Sequence, residues 1–145
     1  MRTVRRSARV RYSASQMFDL VDDIARYPEF LSWCQRATIQ RRTRDLVEAT
    51  LVVGLGGVHK QFSTRNLLDV PRRIAIELLK GPFESLEGEW TFNDHDDGGC
   101  EVSLALDFEV SHTPLNMLFA VLFEEVVRAQ IAAFIARAEA LYGQG

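Results

Sequence analysis

Apolar positions follow two periods along this chain: two residues over most of its length, then three to four near the C-terminal end. Val4, Ala8, Val10 and Tyr12 alternate with Arg5, Ser7, Arg9 and Arg11, the pattern of a half-buried strand. Arg6 interrupts the inward set, and near a strand end it can reach solvent along its own stem. Ser13 with Gln16 three residues on is a capping-box signature and predicts a short helix through Phe18, Leu20, Val21 and Ile24. Pro28 predicts a second short helical turn directly after it. Strands then dominate. Residues 37–44 read as a polar, edge-like strand, and Val47, Ala49, Leu51 and Val53 as the inner face of the next. Gly54-Leu55-Gly56-Gly57 separates that strand from another over residues 59–68, which reads as a hairpin connection. A phosphate-binding loop would need a helix directly after the glycines, and none is predicted. Ile74, Ile76 and Leu78, then Leu86, Gly88, Trp90 and Phe92, then Val102, Leu104, Leu106, Phe108 and Val110 mark three further strands.

The period changes at Thr113, an N-cap followed by proline in the first helical position, where a missing N–H costs nothing. Ala120, Phe123, Val127, Ile131, Phe134, Ala138 and Leu141 share one helical face, and Gly143 stands just past the end. At ~1.5 Å per residue a single helix here would run roughly 40 Å. Its first half is apolar nearly all round apart from Asn116, so it needs cover on several sides or borders an apolar cavity. The expected fold class is α+β over a single domain, residues 1–145. A curved antiparallel sheet of about seven strands wraps a long C-terminal helix, with two short helices after the first strand and a hydrophobic space between sheet and helix.

Composition narrows the class without naming a function. Hydrophobic residues make up 47% and charged residues 26%, which suits a globular domain rather than a disordered chain. No apolar run reaches the roughly 18–20 residues of a membrane span, and the N-terminal arginines lack the apolar stretch of a secretory signal. A cytoplasmic location is the expectation, with a peripheral place at the inner membrane as the further option. Cys34 and Cys100 are too few for a disulfide framework and lack metal-type spacing. The net charge of −3 conceals a split. Residues 1–44 carry ten arginines against four acids (+6), and residues 45–145 seven basic groups against sixteen acids (−9). Either one basic surface faces an anionic partner, or the two charge sets face each other within the fold.

No catalytic constellation is visible. His59, His95 and His112 fall on different elements, and no serine or cysteine nucleophile has an evident base. Asp94, His95, Asp96 and Asp97 sit in a glycine-rich turn where solvated charge is the ordinary explanation, so no metal site is expected. Tyr27, Phe30 and Trp33 could line a pocket mouth or plug the end of the sheet, and Phe83, Trp90, Phe119 and Phe123 carry the same ambiguity. Lys60, Thr64 and Asn66 are in phase with Phe62; if that ring faces inward, these polar groups need partners. Arg5, Arg9 and Arg11, with Arg36, Arg41, Arg42 and Arg44 further on, form the candidate basic surface, suited to RNA phosphates, to anionic lipid, or to nothing but solvent.

Two stretches carry a resemblance. Arg26-Tyr27-Pro28-Glu29-Phe30-Leu31-Ser32-Trp33-Cys34 and Gly81-Pro82-Phe83-Glu84-Ser85-Leu86-Glu87-Gly88-Glu89-Trp90-Thr91-Phe92 resemble the signatures of the coenzyme Q-binding and RatA-like family of the START-like, helix-grip superfamily. Ser32 departs from it, standing where the family often has a second proline. The resemblance spans essentially the whole chain. It implies non-catalytic binding of ubiquinone or a related polyisoprenoid lipid between sheet and helix in support of respiration, with no other cofactor. The alternative it offers is a RatA-like toxin of a toxin–antitoxin pair that binds the large ribosomal subunit and blocks subunit association. Anionic membrane is a further expected contact, and DNA is not expected. On the quinone reading the ligand would meet Tyr27, Phe30, Trp33, Phe62, Thr64, Phe83, Trp90, Phe119 and Phe123.

Overall fold

The computed structural model describes residues 1–143; Gln144 and Gly145, the end of the expected domain, lie outside the described residues. The elements run β1 (Arg2–Val10), α1 (Ala14–Asp22), a 3-10 helix (Ile24–Glu29), β2 (Cys34–Arg42), β3 (Leu46–Leu55), β4 (Val58–Asp69), β5 (Arg73–Lys80), β6 (Ser85–Asp94), β7 (Cys100–Glu109), α2 (Pro114–Arg128) and α3 (Gln130–Tyr142). The seven strands form one sheet in the order β1-β7-β6-β5-β4-β3-β2, every neighbouring pair antiparallel, so β1 and β2 are its edges. Helices and sheet bury one continuous core between them. This is the α+β helix-grip architecture expected from the pattern.

Local chemistry explains the turns and starts. Ser13 accepts from the Gln16 amide while the Gln16 side chain accepts from the Ser13 amide, completing the capping box that opens α1. Gly56 and Gly57, with φ of 53° and 83°, make the two-residue β3–β4 turn, which needs positive φ at both central positions. Gly88 serves a different need. A Cβ there would stand 2.4 Å from the Ala105 carbonyl oxygen, so glycine alone lets β6 approach β7 this closely.

The single long helix is corrected by the structure. It divides at Ala129, whose backbone (φ −91°, ψ −2°) stays right-handed but lies at the edge of the helical region, and whose N–H is shared between the Glu125 and Val126 carbonyls at 3.2 and 3.1 Å. Neither proline nor glycine lies at the break, so periodicity alone gave no warning of it. Gln130, the residue after it, is buried and held from outside the helix, as described below. Across the break the predicted face is kept: Ala120, Phe123, Val127, Ile131, Phe134 and Ala138 are all buried. Leu141 is not. Tyr142 closes that end instead, packing on Tyr12 at 5.7 Å and donating its hydroxyl to the Gln16 carbonyl. The apolar start of α2 is covered on one side only, and Leu115, Leu118 and Val121 stand exposed.

Candidate functional site

Alternation along each strand turns one row of side chains toward the helices. Val47, Ala49, Leu51 and Val53 of β3, Phe62, Thr64 and Asn66 of β4, Leu86 and Trp90 of β6 and Leu104 and Leu106 of β7 all point into the same space. Toward the α2 end it is filled by rings: Phe83, Phe108 and Phe123 lie within 5.0 to 5.9 Å of one another, with Phe62 and Phe119 packed around them. Toward the break it is not filled. A cavity of about 110 Å³ remains there, bordered by Val126, Val127 and Gln130 on one side and Val21, Ile24, Tyr27 and Trp33 on another.

Three polar side chains interrupt this apolar wall. Thr64 and Asn66 are each 8% exposed, and Gln130 is 9% exposed. The Trp33 indole N–H donates to Gln130 Oε1 at 3.2 Å, bridging the segment before β2 to the first turn of α3 at the break. The side-chain oxygen of Asn66 is buried without a hydrogen-bond partner among the described residues, which leaves an uncompensated polar group beside the cavity. Tyr27, the one titratable group in the lining, donates its hydroxyl to the Val21 carbonyl, and burial pushes its ionisation well above the ordinary phenol range. The lining contains no carboxylate, histidine, lysine, serine or cysteine. A pocket so composed can enclose apolar surface and accept or donate one or two hydrogen bonds. It lacks a group able to exchange protons near neutral pH.

Of the nine residues expected to meet a ligand, Tyr27, Trp33, Phe62, Thr64, Trp90 and Phe123 line this cavity. Phe30, Phe83 and Phe119 do not. Phe30 packs on Tyr27 and Phe134 under the Arg137 guanidinium, while Phe83 and Phe119 belong to the filled aromatic end. Gln130 escaped the sequence reading because it sits on a helix otherwise judged by its apolar face. The one signal for it was a polar residue flanked by Val127 and Ile131 on that face. In β4 the inward phase of Phe62 brings Thr64 and Asn66 in with it, whereas Lys60, nearer the strand end, stays half-exposed.

The candidate basic surface comes out divided. On β1, Arg5 pairs with Asp107 at 3.1 Å and Arg9 with Asp97 at 2.5 Å, and just past the strand Arg11 pairs with Glu139 at 3.9 Å. Arg42 pairs with Asp22 at 3.0 Å and also donates to its carbonyl. The β1 row therefore meets acids from the C-terminal two thirds, the internally compensated arrangement the charge split allowed. The partners register it. Hydrogen bonds from the Gly99 amide and from Arg9 hold the Asp97 carboxyl below the usual carboxylate range, and those from Arg5 and Thr3 do the same for Asp107. Arg36 has no such partner among the described residues. In the acidic turn, Asp94 accepts from the Ala14 amide and Asp97 from Gly99, so two of the carboxylates there serve structure.

The family profile described as polyketide cyclase / dehydrase and lipid transport matches residues 10–135, most of the chain. The chain belongs to this family. Within the polyketide cyclase / dehydrase and lipid transport family its relatives differ in kind. It is 40% identical over 144 residues to the ribosome association toxin RatA of Vibrio cholerae serotype O1, covering 99% of this chain and 100% of that protein. It is 27% identical over 137 residues to a mitochondrial coenzyme Q-binding protein, the COQ10 homolog B of Xenopus laevis, covering 92% of this chain and 56% of that one. Among solved structures, the Zhui aromatase/cyclase of a Streptomyces species superposes with a TM-score of 0.83 at 19% identity, covering 95% of this chain and 93% of that one, a likeness of fold. The likeness of fold accords with the helix-grip architecture, while the two named relatives are a ribosome association toxin and a coenzyme Q-binding protein.

Proposed function

We propose that this protein is a ribosome-association factor of the RatA type, a non-catalytic interaction module that binds the large ribosomal subunit and hinders subunit joining. The observation that carries this reading is the end-to-end match at 40% identity to a protein of that name, against 27% to a quinone-binding relative of which the chain spans about half. Cavity size points the same way. Ligand pockets commonly measure about 300–1,000 Å³, and the cavity here is smaller, about 110 Å³. The absence of proton-exchanging groups from the lining argues against cyclase chemistry.

One observation favours a second reading. The cavity is walled almost wholly by apolar side chains yet holds the unpartnered Asn66 oxygen, which suits a ring-sized hydrophobic group carrying a hydrogen-bond donor. The two readings are compatible, because one uses the interior and the other the surface. The deciding experiment is sedimentation of the purified protein with separated large and small ribosomal subunits, together with solvent extraction and mass spectrometry of the protein from its own cells. Cosedimentation with the large subunit and fewer joined ribosomes is expected. Protein that stays unbound at low salt while yielding a stoichiometric quinone would overturn the ribosome reading in favour of the carrier.

A further inference from the structure

The arginines of the N-terminal third separate by whether a carboxylate already holds them. Arg2, Arg5, Arg9, Arg11, Arg26 and Arg42 all lie within ion-pair distance of an acid. Arg36, Arg41 and Arg44 are exposed and have no carboxylate within that distance among the described residues. All three sit on one border of the molecule. Arg36 and Arg41 are on β2, an edge strand, and Arg44 is in the turn that follows. Arg6 is also without a carboxylate, but it stands alone on the opposite edge.

Register fixes the face. Arg36 is opposite Val52 and Arg41 opposite Glu48, and these β3 positions alternate with the inward-facing Val47, Ala49, Leu51 and Val53. Both guanidinium groups therefore stem from the outer face of the sheet, away from the helices and the cavity. The acids nearest in sequence and register are already engaged. Arg65 donates to Glu48 at 2.9 Å, the Thr43 hydroxyl to Asp45 at 3.1 Å, and Arg42 to Asp22 at 3.0 Å. What remains is a row of uncompensated positive charge. At ~3.3 Å per residue, Arg36 and Arg41 are separated by at most about 16 Å, a span that can meet several phosphates of a folded RNA.

The edge itself selects the class of partner. Register shifts between Cys34 and Arg36 and between Ile39 and Arg41 leave Gln35 and Gln40 as extra residues, so the edge is bulged twice. Bulges and charge spoil the regular ladder that an added peptide strand would require. An anionic polymer needs no ladder, only guanidinium groups free to form paired hydrogen bonds with its phosphates. The paired arginines Arg5 and Arg9 would first have to give up their carboxylates; Arg36, Arg41 and Arg44 would not.

Resting on the ribosome-association reading, we propose that the β2 edge, through Arg36, Arg41 and Arg44, is the surface that docks on the phosphodiester backbone of ribosomal RNA. Arg5 and Arg9, the more conspicuous row in the sequence, maintain the fold instead.

The test compares the wild type with two variants, R36Q/R41Q/R44Q and R5Q/R9Q, in sedimentation with purified large ribosomal subunits across a salt series. Circular dichroism confirms that each variant is folded. With three phosphate contacts removed, the slope of log affinity against log salt should become shallower by about 2 to 3, at roughly 0.7–0.9 per contact. The triple variant should lose binding accordingly, and R5Q/R9Q should bind as the wild type does. Wild-type binding with an unaltered triple variant overturns the surface assignment and leaves the ribosome reading standing, as does an equal loss in both variants. A wild type that ignores ribosomal subunits overturns the reading itself and this assignment with it. Binding to phosphatidylglycerol vesicles but not to subunits, lost in the triple variant, would give the edge to a membrane and overturn RNA as its partner.

Discussion

Filling the cavity is the perturbation that best separates what the interior does from what the surface does. Ala49 is 2% exposed on β3, lies opposite Thr64 in register and lines the cavity directly. Ala49→Ile adds three carbon atoms to a space of about 110 Å³. At about 0.8 kcal/mol per buried methylene the gain is at most ~2.4 kcal/mol. Fixing the new side chain takes back roughly 0.5–1 kcal/mol, leaving a net near 1.5 kcal/mol. For a chain of this length that is a rise in Tm of about 3–6 °C. Thermal unfolding of wild type and variant measures it, and titration with a short-chain ubiquinol analogue, whose hydroxyls can donate to the unpartnered Asn66 oxygen, measures the ligand site on the same two samples. The variant should be more stable, lose the analogue, and sediment with ribosomal subunits as before. A loss of stability beyond about 1 kcal/mol would mean that Ala49 faces a packed wall rather than open space, because overpacking costs of that size arise where no room exists. Undiminished analogue binding in a stabilised variant would show that the ligand sits elsewhere.

Three further outcomes follow from particular contacts. Trp33→Phe removes the indole N–H that Gln130 accepts at 3.2 Å, so unfolding should fall by about 0.5–1.5 kcal/mol and amide exchange should quicken around residues 129–131; unchanged exchange there would show that the tether does not hold the break. Burial pushes the Cys34 and Cys100 thiols up to about 11, so at pH 8 alkylation by iodoacetamide should be slow in the native protein and fast in denaturant, and prompt native labelling would contradict the burial. Hydrogen bonds from Arg2 and Arg128 hold the Glu124 carboxyl below its ordinary value, so its contribution to stability is present above the usual carboxylate range and is lost as pH falls through the depressed value. Arg2→Gln should therefore flatten the acid limb of Tm against pH, while Asp22, raised by burial, works with the opposite sign and limits the drop; an acid limb identical in the variant would refute the pairing.

Much of this was legible from periodicity because antiparallel strands and an amphipathic helix are local patterns. The inward row of β3, the capping box at Ser13 and the Gly56-Gly57 turn each follow from neighbouring residues. What was not legible depends on residues far apart in the chain. The break at Ala129 carries no proline or glycine, and Trp33 and Gln130, which meet beside it, are 97 positions apart. Aromatic residues posed a related problem. Phe83 follows Gly81-Pro82 in a connection and Phe123 lies on a helical face, yet both reach the filled end while only Phe123 of the two also borders the cavity, a difference that composition cannot encode.

Charge was the least legible feature, and the reason bears on function. A run of ten arginines in 44 residues looks like one basic surface until each guanidinium is assigned a partner. The row of Arg5, Arg9 and Arg11 is compensated by Asp107 on β7, Asp97 in the β6–β7 turn and Glu139 on α3, elements that fold back against the first strand. Exposed pairs of this kind contribute at most about 1 kcal/mol each, but they remove those charges from the field that a distant polyanion meets. The cluster of N-terminal arginines that survives compensation among the described residues is on the β2 edge, on the outer face of the sheet and on the far side of β3 from the cavity. Interior and edge can therefore change independently. A change of edge residues would leave the grip of sheet on helix intact, because Arg36 and Arg41 stem from the face of the sheet opposite the helices.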